Sequence, residues 1–66
     1  MNYKCHECFK TKHGVCDVFV YETNGRDVVQ LFTTDFVSSS TSGVTFTNKE
    51  KFLEFISFLD VIYDEI

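Results

Sequence analysis

The sequence predicts an α+β domain: an antiparallel sheet of three or four strands with one C-terminal helix packed on it. Three observations carry that expectation. Asn24-Gly25 lies between two β-branched and aromatic runs, Val15 to Glu22 and Asp27 to Thr34. Both residues of a two-residue hairpin turn must reach positive φ, and Asn-Gly does so most readily. From Asn48 to Ile66 the chain is rich in large apolar residues and holds neither Gly nor Pro. Finally, 66 residues with 44% hydrophobic content suffice for one core and exclude a second domain.

The elements follow in order within a single domain, 1–66. Residues 1–16 form a Cys- and His-rich segment, 15–47 the strands, and 48–66 the helix. A turn at Asn24-Gly25 sets Thr23 opposite Arg26, Val20 opposite Val29, Val18 opposite Leu31 and Cys16 opposite Thr33. One face then gathers Val18, Val20, Val29 and Leu31. The other gathers Phe19, Tyr21, Val28 and Phe32, with Asp17 and Gln30 among them. Glu22 opposite Asp27 is a like-charge pair that costs a little stability. Phe36 to Ser40 and Val44 to Thr47 read as weaker third and fourth strands, joined by a turn from Ser39 to Gly43. Thr47 followed by Glu50 fits a capping box, with Thr47 as N-cap.

The helix has more apolar surface than one sheet can cover. Phe52, Ile56, Leu59 and Ile62 or Tyr63 would face the strands. That leaves Phe55, Phe58 and Ile66 on a neighbouring strip, with a polar stripe through Glu50, Glu54, Ser57, Asp60 and Asp64. A surface helix needs one apolar stripe, and this one has two. The second strip predicts a protein partner, including self-association as a homodimer through the helix. Phe55 and Phe58 would anchor that interface, and Glu54, Asp60 and Asp64 would steer it.

Cys5-x2-Cys8-x4-His13-x2-Cys16 places four metal-affine side chains within twelve residues. A tetrahedral Zn²⁺ is satisfied by two such close pairs, so a structural zinc stapling an N-terminal loop is expected. His6, between two sulfurs, would point away. The segment resembles a zinc knuckle, C-x2-C-x4-H-x4-C, in Cys5, Cys8 and His13, with the last arm two residues shorter. Reduced thiols, with Cys16 part of the core, are the alternative. Three cysteines cannot pair completely, which disfavours a disulfide framework.

Charge is uneven along the chain. Residues 1–16 hold Lys4, Lys10 and Lys12 against Glu7, whereas the remainder holds three basic and nine acidic residues. A zinc-knuckle-like protein binding single-stranded nucleic acid through Lys4, Lys10 and Lys12 is therefore the competing function. The order of four strands and a dimerising helix is also similar to the single-stranded-DNA-binding transcription coactivator fold.

Catalysis finds no support. The chain has no serine elbow, no Gly-rich phosphate loop and no His-Glu-x-x-His. No run of about 20 apolar residues predicts a membrane span. The absence of Ala, Pro and Trp, with a single Arg, resembles the usage of AT-rich genomes, including many bacteriophages. The expectation is a small non-enzymatic cytoplasmic regulatory protein, an inhibitor or adaptor of host machinery, acting in the host cytoplasm if virus-encoded.

Overall fold

A computed structural model describes residues 2–66. Four strands form one antiparallel meander: β1 (Asn2–Lys10), β2 (Gly14–Thr23), β3 (Arg26–Asp35) and β4 (Thr41–Phe46). A single helix, α1 (Lys49–Glu65), follows.

The hairpin between β2 and β3 has the expected register. Asn24 and Gly25 adopt φ of 53° and 77°, both in the left-handed region, and Thr23 pairs with Arg26. Each later pair then falls where the turn demands, through Val20–Val29 and Val18–Leu31 to Gly14–Asp35.

Two elements differ from the sequence expectation. The N-terminal segment is a nine-residue edge strand paired with β2, where a metal-stapled loop was expected. Its alternation was masked by a bulge at Lys4, which takes Tyr3 opposite Tyr21 and Cys5 opposite Val20. Phe36 to Ser40 is a turn, not a strand. Asp35 organises it: its carboxylate accepts from the Val37 amide at 2.9 Å, and its carbonyl accepts from the Ser39 amide at 2.8 Å. Ser39 is left-handed at φ 59°, which no strand permits.

The two faces of the sheet separate by chemistry. On the first lie Val18, Val20, Val29, Leu31 and Phe46, with the acids Glu7, Glu22 and Asp27 toward its margins. Lys4 reaches across β2 on this face to donate to Asp27 at 3.0 Å. It thereby offsets the Glu22–Asp27 repulsion, and Asp27 raises the Lys4 ammonium above its usual 10.5. The second face carries Phe19, Tyr21 and Phe32.

The helix lies on the first face but covers little of it. Its N-cap is Asn48, one residue later than expected, whose side-chain oxygen accepts from the Lys51 amide at 2.8 Å. So short a link from β4 tethers the first turns beside Phe46. Phe52 and Phe55 meet the Phe46 ring at 5.5 and 5.1 Å between centroids. Beyond Phe55 every helical residue is exposed. Val29, 5% exposed, is the only buried apolar residue among those described. The radius of gyration is 13.3 Å, against about 11 Å for a compact chain of this length.

Two glycines test this arrangement. At Gly25 an added Cβ meets open space, so Gly25→Ala isolates the cost of a left-handed backbone. That cost is about 1 kcal/mol or more, a Tm lower by at least about 4 °C. At Gly43 a Cβ would stand 2.8 Å from the Phe32 ring. Gly43→Ala should also lower Tm, and adding Phe32→Leu should recover part of the loss. Thermal melts of the three variants are the check.

Candidate functional site

The proposed zinc ligands are distributed along a paired hairpin. Cys5 sits opposite Val20 and Cys8 opposite Asp17, so the two sulfurs leave β1 on opposite faces. Cys16 pairs with Phe9, four residues along β2 from the partner of Cys5, about 13 Å at the rise of a strand. His13 is in the β1–β2 turn, which Thr11 closes by accepting from the His13 and Gly14 amides at 3.2 Å each. The Phe36 amide donates to the His13 carbonyl at 2.9 Å and holds that turn against the next one.

An open groove of about 360 Å³ at this end of the sheet is lined by His13 and Cys16, with Phe9, Thr33 and Asp35. Cys5 and Cys8 lie outside it. Among the described residues no three His, Cys, Asp or Glu side chains converge as a metal site. Holding one ion on all four expected ligands would require β1 and β2 to unpair between Cys5 and Cys16.

The expected partner strip is divided by the fold. Phe55 is turned inward onto Phe46 and is half-buried. Its inward turn follows from the short β4–α1 link, which brings residues 52 and 55 onto Phe46 together. Phe58 stacks behind Phe55 at 6.3 Å and is 56% exposed. Leu59, Val61, Ile62, Tyr63 and Ile66 are exposed as well, so the apolar strip is larger than expected and displaced toward the C-terminus. Ile56, Leu59 and Ile62, expected against the sheet, belong to it. Asp60 and Asp64 are exposed on the same half, while Glu54 pairs with Lys51 at 3.2 Å.

Of the three lysines in the nucleic-acid reading, Lys4 is committed to Asp27 on the first face. Lys10 ends β1 and Lys12 lies in the turn after it; neither makes an ion pair among the described residues.

The second face holds a set that the sequence reading found only in part. Tyr3 meets Tyr21 at 6.1 Å, Tyr21 meets Phe19 at 6.4 Å, and Phe19 meets Phe32 at 5.9 Å. His6 stacks on Phe19 at 4.2 Å with planes 4° apart, and its Nε2 lies 2.9 Å from Asp17 Oδ1. Tyr3 and His6 are three residues apart and would normally point oppositely. The bulge at Lys4 puts them on one face, and β-strand alternation alone could not have revealed it. The helix does not reach this face.

Comparison with known proteins finds no matching family model, curated protein or solved structure. Among the described residues no helix is long and apolar enough to cross a membrane.

Thiol chemistry gives a direct check on the geometry. Cys5 and Cys8 are exposed and Cys16 is half-buried. All three should react with a thiol reagent in the native protein, Cys5 and Cys8 ahead of Cys16, at rates unchanged by a chelator. Rates that rise on chelation would show a metal holding the sulfurs and a rearranged hairpin.

Proposed function

We propose that this chain is a non-enzymatic binding protein that pairs through α1 with a second copy of itself and, so assembled, engages another protein. The observation that carries the reading is its surface. The chain exposes 5296 Å², whereas a compact monomer of its mass exposes about 4,300 Å². The excess of about 1,000 Å² resembles the roughly 800 Å² that each partner gives to a standard interface. Most of the large exposed apolar side chains responsible are on α1. A patch of that kind is seldom left in water.

The helix charges support an antiparallel pair. Lys49 and Lys51 are at its N-terminal end, and Asp60, Asp64 and Glu65 at its C-terminal end, with no basic residue in the last turn. The acids of the last turns oppose the helix dipole, which favours cations near the C-terminus, while Glu50 in the first turn agrees with it. A second helix running the other way brings its lysines to those acids. It also lays the uncovered half of each helix beside the anchored half of the other.

A chain whose largest apolar strip faces outward suits a regulator, inhibitor or adaptor rather than a catalyst. The AT-rich residue usage supports a phage-type source. Exposed, unpaired Cys5 and Cys8 suit a reducing cytoplasm.

Sedimentation equilibrium at micromolar concentration should give twice the chain mass. Burial of an Ile contributes about 1.5–3 kcal/mol. Ile62→Glu, which removes one from each copy, should weaken pairing about a hundredfold or more. Asp64→Lys should weaken it less, and Lys51→Glu in the same chain should restore part of the loss. A wild-type chain sedimenting as a monomer would remove the basis for self-pairing.

A further inference from the structure

We infer that the aromatic face of the sheet is a binding surface for the unpaired bases of single-stranded nucleic acid. This site is separate from the helix interface and stands on different observations.

The rings come first. Tyr3, Tyr21, Phe19 and Phe32 form a continuous path across β1, β2 and β3 with steps of 6.1, 6.4 and 5.9 Å. Phe32 lies directly over Gly43, since a Cβ there would stand 2.8 Å from two of its ring atoms. Seated over bare backbone, that ring is restrained from the Gly43 side and meets Phe19 edge-on, with planes 73° apart. Phe19, Tyr21 and Phe32 are half-buried, and Tyr3 at the edge is 61% exposed. His6 already covers one face of Phe19 at 4.2 Å, so Tyr3, Tyr21 and Phe32 are the rings offered to a base. Successive rings fixed in this way are what sequence-tolerant base stacking needs.

Charge decides the occupant. The chain as a whole is acidic, with a net charge of −4, but the strands do not share that charge equally between their faces. By strand alternation Glu7, Glu22, Asp27 and Asp35 belong to the helix-bearing face. The one acid among the rings is Asp17, and it is 2.9 Å from His6. Lys10 at the end of β1 and Arg26 at the β2–β3 turn flank the path at opposite ends, with Lys12 in the turn beyond Lys10. The aromatic face is therefore neutral to basic on an acidic protein, complementary to a phosphate backbone running past stacked bases. A basic or neutral protein surface would be drawn to the opposite face.

The test uses the full chain with labelled oligothymidylate and oligouridylate of about 12 nucleotides, within the span of known single-strand sites. Fluorescence anisotropy should show both binding alike, because stacking reads ring faces, and a duplex of the same length binding far less. With no Trp, the intrinsic emission is that of Tyr3, Tyr21 and Tyr63. In a Tyr63→Phe chain only the aromatic face reports, and binding should quench it. Tyr3→Ala, at an exposed edge position, should weaken binding about tenfold while leaving the far-ultraviolet circular dichroism unchanged. Three cations on phosphate would make binding about twentyfold weaker between about 50 and about 200 mM salt, and Lys12→Glu should flatten that dependence.

No anisotropy change at low salt, binding without quenching, equal binding of duplex, or indifference to Tyr3→Ala would each overturn the inference. Loss of the dimer on Tyr3→Ala would also overturn it, by placing a second copy on this face. The helix reading fails separately, through the mass of the wild-type chain and of Ile62→Glu.

Discussion

The left-handed turn at Asn24-Gly25 sets the parity of the whole molecule. Because side chains alternate along a strand, a slip of one residue at that turn would exchange the faces of β2 against β3. The observed pairing sends Val18, Val20, Val29 and Leu31 one way and Phe19, Tyr21 and Phe32 the other. It sends charge with them, since Glu22 and Asp27 follow the valines. β1 and β4 inherit the division by pairing to this hairpin. Without that register there would be neither an aliphatic seat for the helix nor an aromatic surface with Asp17 as its one acid.

The helix depends on the sheet in a narrower way. Phe46, the last residue of β4, meets Phe52 and Phe55, and these three rings hold the near end of α1. The far end has no comparable ring contact among the described residues. Local capping by Asn48 fixes where the helix begins, but helices of this length draw most of their stability from packing an apolar face. The remaining apolar residues therefore make the stability of α1 conditional on what covers them.

The hairpin was readable because its information is local: two turn residues and the alternation beside them. The helix was readable from its unbroken apolar run, although its cap shifted from Thr47 to Asn48. The first strand was hidden for a physical reason. Its Cys and His spacing reads as a ligand pattern, and the bulge at Lys4 breaks the alternation that would have marked a strand. Phe36 to Ser40 has strand-like residues, but Asp35 captures the Val37 amide and turns the backbone. Which helical residues face inward was set by the short link after Phe46, a tertiary constraint that periodicity cannot supply. Of the candidate interface residues, Phe58, Asp60 and Asp64 are exposed, whereas Phe55 is turned inward. The association of Tyr3 and His6 with Phe19 required the bulge to be seen.

That bulge has a consequence for how copies of the chain can meet. An open edge strand carries unsatisfied amides and carbonyls, and a flat one invites another sheet to continue from it without limit. Here the outer edge of β1 is interrupted at Lys4, where an extra residue twists the strand and spoils the spacing of its hydrogen-bonding groups. Lys10 and Lys12 place two further charges near the far end of the same edge. Lateral growth into fibres is thus obstructed at β1, the longer of the two edge strands. Copies of the chain are thereby left to meet through surfaces other than this edge.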